Sequence, residues 1–165
     1  MNYSDIKYAD MINGEGIRVS LFVSGCDHFC DGCFNKVSWD KNYGKPFTKE
    51  REKEIFDYFK KYGESLRGIS LLGGDPTFPD NIEPLIEFLE NFKKEFPSKD
   101  VWLWSGFTWE QINEDLQKIK LISLCDILVD GKFVENLKNL SLKWRGSLNQ
   151  RVIDVKQSMR FKKVV

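Results

Sequence analysis

Short apolar runs ending in Gly, Asp or Ser recur along the chain at residues 17–23, 68–72, 101–104, 127–129 and 151–155. Each has the length and composition of a buried strand. Between the earlier runs lie stretches of helical period. Over 49–62, Ile55, Phe56, Phe59 and Tyr62 share one stripe, with Thr48 placed as N-cap and Gly63 placed to end the helix. Over 81–96, Ile82, Leu85, Ile86, Leu89 and Phe92 share a face, opened by Asp80 and Glu83 in capping-box spacing. A third helix is predicted over 109–120, with Thr108 and Gln111 as its capping pair and Ile112, Leu116 and Ile119 facing inward. Strand and helix alternate, which predicts an α/β protein with a parallel sheet and helical crossovers, either an open sheet or a partial barrel. No internal repeat or linker interrupts the pattern. One domain over residues 1–165 is expected, with a loosely ordered tail at 156–165.

In both architectures ligands gather at the carboxyl ends of the strands. The unusual sequences of this chain fall at those ends. Three cysteines follow the first run within a loop at 24–35, Gly73-Gly74-Asp75-Pro76 follows the second, Ser105-Gly106 the third and Asp130-Gly131 the fourth. A carboxylate closing an apolar strand, as Asp130 does, requires a partner. Trp102 and Trp104 are read as packing aromatics, and Cys125, beside an apolar strand, as a buried packing cysteine.

Composition narrows the chemistry. Lys plus Arg number 25 and Asp plus Glu 25, so net charge supplies no footprint for nucleic acid or a membrane surface. The opening residues lack the basic start and apolar run of a signal peptide, and no apolar span long enough to cross a membrane follows, so a cytoplasmic protein is expected. In a reducing compartment, cysteines packed as Cys26, Cys30 and Cys33 within eight positions are ligands or catalysts rather than disulfides. Their Cys-x3-Cys-x2-Cys spacing suits an iron–sulfur cluster closed by three thiolates, leaving one iron free. Structural zinc, with His28 as a fourth ligand, is the alternative; zinc sites usually space their ligands as two separated pairs. His28, the only histidine, is read as a polar loop residue. No nucleophile–base pair is visible, so acid–base hydrolysis has little to work with.

The cysteine run resembles the signature of the radical S-adenosylmethionine superfamily. Gly32 stands where the usual aromatic precedes the third cysteine, and Phe34 follows Cys33, a variant similar to that of the activating proteins of anaerobic ribonucleoside-triphosphate reductase. The resemblance extends to Asn13-Gly14-Glu15-Gly16, expected near the mouth of the site, and to Arg145-Gly146-Ser147-Leu148-Asn149-Gln150-Arg151 within a C-terminal element at 144–155. It implies a partial, open (β/α) barrel of about five or six parallel strands. It also implies that Cys26, Cys30 and Cys33 hold a [4Fe–4S] cluster and that S-adenosylmethionine chelates the free iron. Gly73, Gly74 and Asp75 match the glycine-rich element that contacts the methionine amino group, with Asp75 one methylene shorter than the usual glutamate. Asn149, Gln150 and Arg151 would contact the adenosyl part, or the arginines would face the partner enzyme. Ser105 and Asp130 resemble the strand ends that hold a monovalent cation in related formate-lyase activases, although Trp104 replaces the aspartate expected there. The activity implied is one-electron cleavage of S-adenosylmethionine, with an electron donor such as reduced flavodoxin. The 5′-deoxyadenosyl radical then abstracts a hydrogen from a glycine in the large subunit of the reductase. A radical enzyme acting on a small molecule would share the cysteines but need a closed substrate pocket.

Overall fold

The computed structural model describes residues Met1–Val165. Seven strands form one sheet: β1 (Asn2–Asp10), β2 (Arg18–Val23), β3 (Lys45–Pro46), β4 (Gly68–Gly73), β5 (Asp100–Trp104), β6 (Ile127–Asp130) and β7 (Arg151–Asp154). Their order is β3-β1-β2-β4-β5-β6-β7. Four of them, β2, β4, β5 and β6, run parallel in direct register, for example Leu21 beside Leu71 and Leu71 beside Leu103. The flanking strands run antiparallel.

This corrects the expected five or six parallel strands. Residues 131–150 between β6 and β7 carry only a 3-10 turn at Glu135–Leu137 and no crossover helix. The chain therefore turns at the carboxyl end of β6 and returns beside it, pairing Asp130 with Arg151.

Helices α1 (Lys49–Tyr62), α2 (Pro79–Glu95), α3 (Trp109–Ile112), α4 (Leu116–Ser123) and α5 (Val155–Phe161) supply the second layer. Val19, Leu21, Ile69, Leu71, Val101, Leu103 and Leu128 alternate onto one sheet face and join Ile55, Phe59, Leu85, Leu89, Phe92 and Leu121 of the helices in one core of 26 buried residues. Aromatic edges dominate the α1–α2 contact, with the Phe59 and Phe92 centroids 4.9 Å apart. Thr48 caps α1 as expected, its side chain accepting from the Arg51 N–H. The second helix starts two residues earlier than predicted, with Pro79 in its first turn; Asp80 pairs with Lys41 at 2.7 Å instead of capping. The third helix divides into two. The capping box of Thr108 and Gln111 forms at α3, but Asp115 accepts from the Gln117 and Lys118 N–H groups and starts a new helix. The terminal residues, expected to be loose, form α5 and are tied back where Val165 donates to Ser158 Oγ at 2.9 Å. No helix is long and apolar enough to cross a membrane.

The opposite sheet face begins with a fully buried charge. The Arg18 guanidinium lies 2.6 Å from Asp100 Oδ1 and donates to Ser70 Oγ at 2.7 Å, to the Glu15 carbonyl at 2.9 Å and to the Ile69 carbonyl at 2.9 Å. A buried cation is tolerated only when paired and fully hydrogen-bonded in this way. The Asn13-Gly14-Glu15-Gly16 segment belongs to this network, since Ser70 Oγ donates to the Asn13 carbonyl at 2.6 Å. It packs near the starts of β2 and β4 rather than at the expected mouth of a site. Gly14 is required there: its φ is +115°, and a Cβ would come within 2.9 Å of Arg18.

Candidate active site

The carboxyl ends of β2, β4, β5 and β6 surround a cavity of about 170 Å³. The cysteine loop forms one wall. It leaves β2 through Ser24, whose hydroxyl donates to the Tyr43 carbonyl, and is fastened where Gly25 N–H meets the Ser38 carbonyl at 2.8 Å and Cys26 N–H meets the Trp39 carbonyl at 3.3 Å. Positive φ at Gly25, Phe29 and Gly32 then curls the chain so that Cys26, Cys30 and Cys33 all line the cavity. The thiols are partly exposed. Burial pushes the Cys26 thiol up to about 11, opposed by a hydrogen bond from the His28 backbone N–H. Burial also raises Cys30, opposed by the Phe133 N–H. Thiolate binding to metal must therefore displace protons.

The opposite wall is the turn after β4. Gly73 has φ +110°, and a Cβ there would come within 2.7 Å of the Val23 carbonyl; one on Gly74 would come within 2.6 Å of the Gly25 carbonyl. Only glycines let this backbone lie directly against the cysteine loop, joined by Gly74 N–H to the Val23 carbonyl at 2.7 Å and Asp75 N–H to the Gly25 carbonyl at 2.8 Å. Asp75 is buried and its carboxylate is crowded with donors. Oδ1 accepts from the Thr77 N–H and hydroxyl, both at 2.7 Å. Oδ2 accepts from the Gly106 N–H at 3.0 Å and the Ser105 hydroxyl at 3.1 Å, and lies 2.5 Å from His28 Nε2. Burial alone would raise its pKa, but the His28 and Thr77 hydrogen bonds hold it below the ordinary carboxylate range. His28, read from sequence as a polar loop residue, does lie in the loop, with its side chain turned inward onto Asp75.

Cys26, Cys30, Cys33, Gly73, Gly74, Asp75 and Ser105 meet around this one cavity, with Leu72, Trp104 and Phe133 as apolar walls. Asp130, Asn149 and Arg151 line an adjacent polar depression of about 520 Å³. Gly106 and Gly131 border both. The partner that Asp130 needs is Arg151, which donates through Nε to Oδ1 at 3.0 Å and through a terminal nitrogen to Oδ2 at 2.5 Å. Trp109 N–H adds a further bond to Oδ2 at 2.6 Å. Arg151 also grips Glu110 through two bonds of 3.1 and 2.8 Å. Asn149 donates to the Lys132 carbonyl at 2.8 Å. Gln150 lines the cysteine cavity and stitches its own turn, accepting from Gly146 N–H and donating to the Gly131 carbonyl. Cys125 lies apart, buried, with its thiol directed at the Leu121 carbonyl and pushed upward by burial.

The Arg151 clamp has a pH signature. Its hydrogen bonds hold Glu110 down from an ordinary 4.5 to about 2. A depressed carboxyl contributes stability that is present above about pH 4.5 and is lost as pH falls through about 2. Because Glu110 is largely exposed the contribution is small. Urea unfolding midpoints across this acid range should fall less steeply in Glu110→Gln than in the parent protein.

Three soft thiols at one cavity with an apolar lining fit an iron–sulfur cluster. His28, engaged with Asp75, supplies no fourth ligand. A protein family described as a 4Fe-4S single cluster domain matches residues 12–153. The anaerobic ribonucleoside-triphosphate reductase-activating protein of Escherichia coli strain K12 is 43% identical over 152 residues, covering 92% of this chain and 97% of the relative. The protein of the same name from Pasteurella multocida is 42% identical over 150 residues, 91% of this chain and 95% of that one. The one from Enterobacteria phage T4 is 40% identical over 152 residues, 92% and 93% of the two chains. The chain belongs to this family of 4Fe-4S activating proteins.

Proposed function

We propose that this chain is a radical S-adenosylmethionine enzyme that activates an anaerobic ribonucleoside-triphosphate reductase by installing a glycyl radical on its large subunit. The observation that carries the reading is the meeting of Cys26, Cys30 and Cys33 with Gly73 and Gly74 around one cavity, in a chain 43% identical to a protein of that name over most of its length. Cys26, Cys30 and Cys33 would hold a [4Fe–4S] cluster, which when bound supplies the electron that splits S-adenosylmethionine into methionine and a 5′-deoxyadenosyl radical. Gly73 and Gly74 offer backbone without side chains to the methionine end. Asp75 and Ser105 hold the strand-end loops in place, and Asn149 with the Asp130–Arg151 pair bounds the adenosyl end. Leu72, Trp104 and Phe133 line the cavity with apolar surface that keeps water from the reacting atoms.

Four parallel strands with antiparallel wings are consistent with a partial, open barrel, a form suited to a macromolecular substrate. Reduced flavodoxin is the kind of electron donor expected, and the cytoplasm the compartment. Incubation with a reductase, S-adenosylmethionine and reductant under anaerobic conditions should produce the electron paramagnetic resonance doublet of a glycyl radical on the reductase. Consumption of S-adenosylmethionine without that doublet would point to a small-molecule substrate instead.

A further inference from the structure

The only histidine has a place that cluster ligation does not account for. His28 lies midway between Cys26 and Cys30, yet its side chain is 7% exposed and its Nε2 sits 2.5 Å from Asp75 Oδ2. The ring meets Phe107 edge-on, with centroids 4.6 Å apart, and covers Gly106 so closely that a Cβ on that glycine would overlap it. The same Asp75 oxygen accepts from the Ser105 hydroxyl and the Gly106 N–H. One carboxylate oxygen therefore joins the loops that follow β2, β4 and β5.

Main-chain bonds secure only the ends of the cysteine loop, at Gly25, Cys26 and the local Cys33-to-Cys30 turn. Its interior is fastened to the sheet by the His28 side chain. Asp75 in turn follows the two glycines of the opposite wall without a break in sequence. A change at His28 is thus transmitted to both sides of the cavity, to the thiols through the loop and to the glycine backbone through Asp75.

We propose that His28 and Asp75 form a positioning pair that fixes the separation between the cluster-binding thiols and the Gly73–Gly74 backbone, and so sets how S-adenosylmethionine meets the cluster. The role rests on the function proposed above, and it is exerted through neighbouring groups rather than by contact with the reacting atoms. It requires a hydrogen-bond donor at the position of Nε2, not merely a ring filling the space over Gly106. A buried carboxylate that loses one donor relaxes toward other partners, and the loops it joins move with it.

Two substitutions separate donor from ring. His28→Phe keeps the ring and removes the donor, whereas His28→Gln keeps an N–H at similar reach. In anaerobically reconstituted protein, His28→Phe should retain the parent iron content, while its KM for S-adenosylmethionine rises by about tenfold or more and kcat changes less. His28→Gln should recover most of that loss. In the metal-free protein, amide hydrogen exchange over 27–32 and at Gly106 should be about tenfold faster in His28→Phe than in the parent, and near the parent rate in His28→Gln.

The proposal is overturned if His28→Phe keeps KM within about twofold of the parent with unchanged exchange. It is equally overturned if the variant loses its iron, because the role would then be cluster retention. Parent protein that carries iron yet leaves S-adenosylmethionine intact would strike the functional reading instead. In that case the exchange comparison on metal-free protein still decides whether the pair locks the loop.

Discussion

Alanine at Cys26, Cys30 or Cys33 is expected to reduce cleavage of S-adenosylmethionine to the uncatalysed background, with iron after anaerobic reconstitution falling well below about four atoms per chain. Each thiol lines the same cavity and no other cysteine is near enough to substitute, since Cys125 is buried against α4. A cluster left with two protein ligands exposes a second iron and is readily lost. The fold should survive. The three side chains are partly exposed on a loop outside the apolar core, so circular dichroism melting should place the stability change within about 1 kcal/mol. Loss of activity with an intact fold separates ligation from structure. A variant that still turns over at the parent rate would remove that cysteine from the site.

Gly73→Ala should lower stability and activity together. The new side chain meets two obstacles at once. At φ +110° an L-residue is strained, and its Cβ would stand 2.7 Å from the Val23 carbonyl and 2.8 Å from Phe22 Cα, main-chain atoms of a central strand that cannot swing aside. Strain and overpacking together should cost about 2–5 kcal/mol. For a chain of this size that corresponds to a fall in Tm of roughly 5–15 °C. Relief requires β4 to part from β2 at the point where both walls of the cavity begin, so activity should fall along with stability. Scanning calorimetry beside an S-adenosylmethionine cleavage assay checks both. A Gly73→Ala protein with parent Tm and parent activity would show that this close approach is not needed.

The central layer of this fold was readable because its strands are short, mainly apolar runs whose alternate residues, such as Val19 and Leu21 or Ile69 and Leu71, are covered by helices. The first strand was not. Asn2–Asp10 lies between β2 and the two-residue β3, which pairs with only its first residues, and only Tyr3 and Asp10 are buried, so its polar residues break the pattern that marks a strand. The direction of Arg151–Asp154 could not be read from its own residues, because it is set by the absence of a crossover helix in the preceding segment. The division of the third helix rests on Asp115, a residue that competes for backbone N–H groups and reads equally well as a solvated helix position.

The site was legible to a similar depth. Cysteine spacing and glycine placement are local signals, and they lie opposite each other across one cavity. The partners of the carboxylates are not local. Asp75 finds His28 from 47 residues away and Asp130 finds Arg151 from 21. Sequence marks such carboxylates as needing partners without naming them. Glu110 and Thr77, which complete these two networks, were not singled out in the sequence; the Asp-x-Thr spacing at Asp75 and Thr77 is the one signal that could have found the second, as a side chain turned back on its own loop.

The most direct measurement is iron and acid-labile sulfide analysis of anaerobically reconstituted protein, followed by electron paramagnetic resonance of the reduced sample before and after S-adenosylmethionine is added. About four irons and four sulfides per chain, with a signal that changes on addition, are expected of three thiolates leaving one iron free. Stoichiometric zinc in place of iron, or an iron signal indifferent to S-adenosylmethionine, would contradict that arrangement.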